Sequence, residues 1–108
     1  MIIKAHPSFS REIKYLSKKH ISMRQDYATL LASLQDNPQQ GSSLGRDCFK
    51  IRMAISSKKT GKSGGARVIT CVKIENETIH LLSIFDKSEK ATITNAELTE
   101  LLKQLDDE

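Results

Sequence analysis

The sequence predicts an α+β fold in the order β-α-α-β-β-β-α, with a mainly antiparallel sheet and an αα-hairpin packed on one face. Three observations predict it. Apolar residues recur at helical spacing in the first part of the chain, then alternate with a period of two over residues 48–85. The two helical stretches are separated by only a few residues, which forces them antiparallel. Thr94 with Glu97 forms a capping box that opens one more leucine-striped helix near the end.

Taken in order, Met1 to Ala5 reads as a short strand carrying Ile2 and Ile3. Pro7 is tolerated in the first turn of a helix, where Phe9, Ile13 and Leu16 fall on one stripe and the end comes near Lys19 or His20. Ser22 with Gln25 has the pattern of a second capping box. Tyr27, Leu30, Leu31 and Leu34 form the next buried stripe, and Asn37-Pro38 stops it. Residues Gln39 to Asp47 are expected to be loop.

From Cys48 to Ile55, Phe49, Ile51, Met53 and Ile55 alternate with Cys48, Lys50, Arg52 and Ala54. Lys50 and Arg52 therefore share one side of a strand. Ser56 to Gly65, rich in lysine and glycine, reads as a mobile basic loop. Ala66 to Ile74 is a second strand, with Arg67, Ile69, Cys71 and Lys73 on one face. Asn76, between two glutamates, marks a tight turn because asparagine tolerates the left-handed region. Thr78 to Phe85 is apolar on both faces, as a central strand should be. The helices are expected to cover one face and to leave the other open, at least near the basic loop.

A length of 108 residues fits one domain over 1–108. With 38% hydrophobic and 28% charged residues the composition is that of an ordinary folded domain. No apolar run approaches the roughly 18 residues that span a bilayer, and the start is too short for a signal peptide. A cytoplasmic protein is expected, with no membrane partner. Cys48 and Cys71 lack a CxxC spacing and would stay reduced there, so neither structural zinc nor another metal or cofactor is expected.

The net charge of +4 is unevenly placed. Between Arg46 and Lys73 eight basic residues face Asp47 alone, whereas from Glu97 onward five acids face Lys103 alone. A concentrated basic middle suits a polyanionic partner, nucleic acid first; a solvated lysine-rich loop is the plainer alternative. Carboxylate acid–base chemistry finds no converging pair in the sequence. His6, His20 and His80 fall in three elements, with no nucleophile elbow nearby. The Gly61-Lys62-Ser63 stretch lacks the first glycine of a phosphate loop and leads from strand to strand, away from any helix N-terminus. Lys50, Arg52 and Arg67 remain. Strands lie about 4.8 Å apart, so cations from neighbouring strands can converge on one phosphate.

Pro7-Ser8-Phe9, Cys48-Phe49-Lys50-Ile51-Arg52, Gly61 to Ile69 and Leu82 to Lys90 together resemble the RelE/HigB-like toxins of bacterial type II toxin–antitoxin systems, within the RelE/ParE superfamily. The resemblance covers nearly the whole chain in the right order. It implies a toxin that inhibits translation by cutting mRNA on the ribosome, without a metal, and that is neutralised by a cognate antitoxin. By position it assigns the mRNA backbone and the scissile phosphate to Lys50, Arg52, Arg67 and Lys87. Lys58, Lys59, Lys62, Phe85 and Lys90 are the expected further RNA contacts. The chain departs from the family pattern at Ala91-Thr92-Ile93, where RelE-type members carry a tyrosine. Stacking then falls to Phe85, and proton handling to Lys87 or Lys90. Two other readings stay open: a ParE-like poison of DNA gyrase without nuclease activity, and a non-catalytic RNA-binding module.

Overall fold

The computed structural model describes residues 1–106; Asp107 and Glu108, which belong to the acidic C-terminal stretch, lie outside the described residues. The elements are β1 (Ile2–Ala5), α1 (Pro7–Lys19), α2 (Met23–Asp36), β2 (Ser42–Gly45), β3 (Cys48–Met53), β4 (Ala66–Lys73), β5 (Thr78–Asp86) and α3 (Asn95–Asp106). They form one sheet in the order β1-β5-β4-β3-β2, in which only the β1–β5 pair is parallel. The α+β class and the mainly antiparallel sheet agree with the sequence reading.

The αα-hairpin packs on one face. Phe9, Leu16, Leu30 and Leu34 meet Ile51, Val68, Val72, Ile79, Leu81 and Ile84 in the larger core. Proline opens α1 as expected, and Tyr27 packs in this core against Phe9. β5 lies between β1 and β4 and is buried almost throughout, which explains its lack of polar alternation.

The expectation that the helices cover one face alone is corrected by α3. Leu98, Leu101, Leu102 and Leu105 join Cys48, Ile69, Cys71, Leu82 and Phe85 in a second core. Its partners alternate with those of the first, so α3 lies across the opposite face. A four-leucine stripe needs an apolar floor, and the αα-hairpin already occupies the other one. The Thr94–Glu97 capping box forms as read: Glu97 N–H donates to Thr94 Oγ1 at 3.1 Å, and Thr94 N–H to Glu97 Oε1 at 3.0 Å.

Four local expectations are also corrected. Residues 42–45, expected as loop, pair with β3 through the two-residue turn Arg46-Asp47. Both turn residues have positive φ, 54° and 63°, the type I′ requirement that Asn-Gly ordinarily meets. Ser22 stands at the N-cap of α2 as read, but without the capping-box bond: its hydroxyl donates instead to Asp26 Oδ2 at 2.7 Å. After β4 the left-handed residue is Glu77, at φ 51°, and Asn76 closes a short 3-10 turn. Ile55 and Ile74 lie beyond the strand ends.

Candidate nucleic-acid interface

Register brings the key residues together. Arg52 on β3 faces Arg67 on β4, and Arg67 faces Phe85 on β5, so the three form one row across the sheet. Lys50 stands two residues along β3 on the same side, opposite Ile69. Beyond the row, the Lys90 ammonium lies 5.3 Å from the Phe85 ring centroid, a cation–π distance, and pairs with Glu97 at the start of α3.

The members of this row differ in freedom. Arg52 is exposed and Lys50 half-buried. Arg67 is only 4% exposed. Its Nη1 donates to the carbonyls of Lys62 and Ala66, each at 3.0 Å, and its Nη2 to that of Ser63 at 3.1 Å. Three carbonyl acceptors, with no carboxylate among them, hold the guanidinium and leave its charge unneutralised. Burial, and then the charge of Arg52, pull its pKa below the ordinary arginine value. Phe85 is also buried, between α3 and Lys90, so its ring is not an open stacking surface.

The basic loop expected to be mobile is pinned at both ends. At its start the buried Asp26 accepts from Ser56 N–H at 2.9 Å and from the Ser56 hydroxyl at 2.5 Å. At its end Lys87 N–H donates to Gly65 carbonyl at 3.0 Å. Gly65 is required there, since a Cβ would stand 2.2 Å from the Met53 carbonyl oxygen.

Asp86, at the end of β5, ties the loop to the rest of the fold. Its carboxylate accepts from Lys58 Nζ at 2.9 Å, His20 Nε2 at 3.0 Å, the Ser88 hydroxyl at 2.7 Å and Ser88 N–H at 2.9 Å. Burial opposes the charge. The bonds from Lys58, Ser88 and His20 outweigh it and hold this carboxyl well below the usual range. Lys58 is therefore engaged within the protein, unlike the exposed Lys59, Lys62 and Lys87.

Sequence reasoning missed three residues beside this region. Burial pushes the Glu12 carboxyl up, against bonds from the Ser83 hydroxyl and the Ile84 backbone. Tyr15 donates to Glu89 Oε2 at 2.8 Å, and Lys19 approaches Glu89 Oε1 at 3.1 Å. Tyr15, Glu12 and Glu89 share with Phe85 and Asp86 a cleft of about 210 Å³. Their spacing in sequence gives no hint of this meeting, because α1 reaches the end of β5 only in the fold.

The fold is thus a mainly antiparallel sheet with helices on both faces and a basic patch laid across one of them. The chain matches the structure of a double arginine-to-alanine variant of the E. coli toxin RelE in the free state, at a TM-score of 0.62 and 19% identity over 96% of each chain. It also matches isolated E. coli RelE at a TM-score of 0.56 and 19% identity, covering 96% of this chain and 97% of that one. At this identity the likeness concerns the fold. The family model described as the RelE toxin of the RelE/RelB toxin–antitoxin system matches residues 10–106, and the chain belongs to that family. It is a toxin of a toxin–antitoxin system, and the family implies a cognate antitoxin partner. A comparison with curated proteins finds no match. Among the described residues no helix is long and apolar enough to cross a membrane.

Proposed function

We propose that this toxin is a metal-independent, ribosome-dependent mRNA endonuclease of the cytoplasm. The observation that carries the reading is the Arg52–Arg67–Phe85 row with Lys50 beside it. RNA brings its own nucleophile, the 2′-hydroxyl next to the phosphate it attacks. The protein has then to align the nucleotide, stabilise charge on the phosphorus centre and manage two protons. Arg67 meets the charge requirement: it keeps its charge when buried, and the loop carbonyls fix its plane before substrate arrives. Lys50 and Arg52 hold the neighbouring phosphates, with Lys59 and Lys62 as outer contacts. Lys90, over the Phe85 ring, and Lys87, just past the end of β5, handle the protons. Phe85 becomes a stacking partner when Lys90 leaves its face. The products are a 2′,3′-cyclic phosphate and a 5′-hydroxyl.

The test is end-labelled mRNA on purified ribosomes with a filled P site. The expected result is cleavage in the A-site codon, abolished by a 2′-deoxy substitution at the cut nucleotide. Intact mRNA with arrested translation would leave a binding module. Inhibition of gyrase supercoiling without cleavage would favour the ParE-like alternative.

A further inference from the structure

Cys48 and Cys71 take no part in the proposed cleavage, yet register sets them side by side. They are opposite each other on β3 and β4, and both are wholly buried. Val72 N–H donates to the Asp47 carbonyl at 2.9 Å, which makes 47/72 a hydrogen-bonded pair. Pairs alternate along an antiparallel ladder, so 48/71 is a non-hydrogen-bonded pair, the kind whose Cα atoms stand only about 4.5 Å apart. A disulfide needs about 4.4–6.8 Å. Both thiols also reach one acceptor, the Arg46 carbonyl, Cys48 Sγ at 3.3 Å and Cys71 Sγ at 3.9 Å. The two sulfurs thus lean toward one point.

We propose that Cys48 and Cys71 form a redox modification site, a reversible cross-strand disulfide made by exchange with a low-molecular-weight disulfide such as glutathione disulfide. The Cys71 thiolate attacks one sulfur of glutathione disulfide, whose S–S bond breaks and releases one glutathione. The Cys48 sulfur then attacks the mixed disulfide at Cys71, and the second glutathione leaves. The two protein thiols lose two protons and two electrons, which end in two glutathione thiols. The order of attack follows from the pair itself. The hydrogen bond from Cys48 lowers the Cys71 thiol pKa against the effect of burial, with Lys73 in support, and the same bond together with burial pushes Cys48 up.

The bond would tie the strand bearing Lys50 and Arg52 to the strand bearing Arg67. α3 controls the rate of closure, because both cysteines are buried in the core that Leu98, Leu101, Leu102 and Leu105 close, and the helix must lift for glutathione to enter. Equilibrium does not depend on that route, so the test is made at equilibrium.

The full chain is equilibrated in graded glutathione buffers under argon, once folded and once in urea. The intramolecular disulfide is measured by its mass and by the linked peptides carrying Cys48 and Cys71. The folded chain should favour the disulfide at least tenfold over the unfolded chain, about 30 mV in potential. Through linkage, the oxidised chain should then melt higher than the reduced one. Cys48→Ser should give only a glutathione adduct, whatever its own stability. Equal or weaker closure in the folded chain would overturn the proposal. So would end products that are single-cysteine adducts or disulfide-linked dimers of the wild type.

Discussion

Toward the αα-hairpin the sheet presents Val68, Val72, Ile79, Leu81 and Ile84, all in the larger apolar core. On the other face β3, β4 and β5 carry Cys48, Ile69, Leu82 and Phe85 under α3, and beside them Arg52 and Arg67. The first face is uniform and large. The second is divided between a small apolar core and a cationic row. A buried cation forgoes hydration, which the fold replaces by turning loop carbonyls onto Arg67. The first face therefore supplies the stability that lets the second hold an unneutralised charge. Among the basic residues, Arg67 and Lys58 are fixed by the protein, while Arg52, Lys59, Lys62 and Lys87 face solvent.

The largest expected effect tests the cationic half. Arg67→Ala should lower single-turnover cleavage on the ribosome by about 10²–10³, or roughly 2.7–4 kcal/mol. Ribosome binding should fall far less. Arg67→Lys should recover only part of the rate, because one ammonium cannot replace the fork that the carbonyls hold. A folded Arg67→Ala protein cleaving at the wild-type rate would leave the cationic row without a catalytic role for its buried member.

The next test sets the apolar halves against each other. Leu34→Ala, on the hairpin face, should cost about 3–4 kcal/mol in urea unfolding, and Leu98→Ala, under α3, nearer about 2 kcal/mol. Both leucines are essentially inaccessible. The difference lies in the neighbours, because Leu98 alone is buried in α3 and the helix can settle into the space. Equal costs would mean that α3 is as firmly seated as the hairpin.

The third test is acid. The Asp86 carboxyl titrates below its unfolded value, so its stabilisation is complete above the ordinary aspartate pKa of about 3.9. It is lost as pH falls from there through the lower folded value. Asp86→Asn should cost about 3 kcal/mol at pH 7, since Lys58 and His20 lose their shared partner. The gap between mutant and wild type should narrow as pH falls below about 4, followed by chemical denaturation at each pH.

The smallest effect separates fixed from free lysines. Replacing Lys59 and Lys62 with Ala should flatten the salt dependence of ribosome binding by about 0.7–0.9 log units for each phosphate no longer neutralised, with little change in melting. Lys58→Ala should do the reverse, lowering stability and leaving the salt slope nearly intact.

Much of this fold is legible in the sequence because its signals are local. Helical spacing identifies α1 and α2, alternation identifies β3 and β4, and Thr94 with Glu97 marks the start of α3. β2 is not legible, because its turn uses Arg46-Asp47 where a type I′ turn usually shows asparagine and glycine. Nor is the face chosen by α3, which depends on what the αα-hairpin has already covered. Within the candidate site, alternation and the hairpin order place Lys50, Arg52 and Arg67 together, as the ladder does. What alternation cannot give is the state of each cation. That Lys58 binds Asp86 depends on strand pairing between remote segments, and that Arg67 binds the carbonyls of Lys62, Ser63 and Ala66 depends on how the loop before it turns back on its guanidinium.

The parallel pairing of β1 with β5 also bears on how the chain is made. Ile2 aligns with Thr78, and Ala5 with Leu81, so the first strand synthesised waits for the last. Until β5 has left the exit tunnel, β1 has no partner, Phe85 is missing from the row, and Asp86 cannot anchor Lys58. Contacts this remote in sequence close late and slowly. A nascent toxin is thus unable to complete the row of its basic face until β5 has emerged to pair with β4.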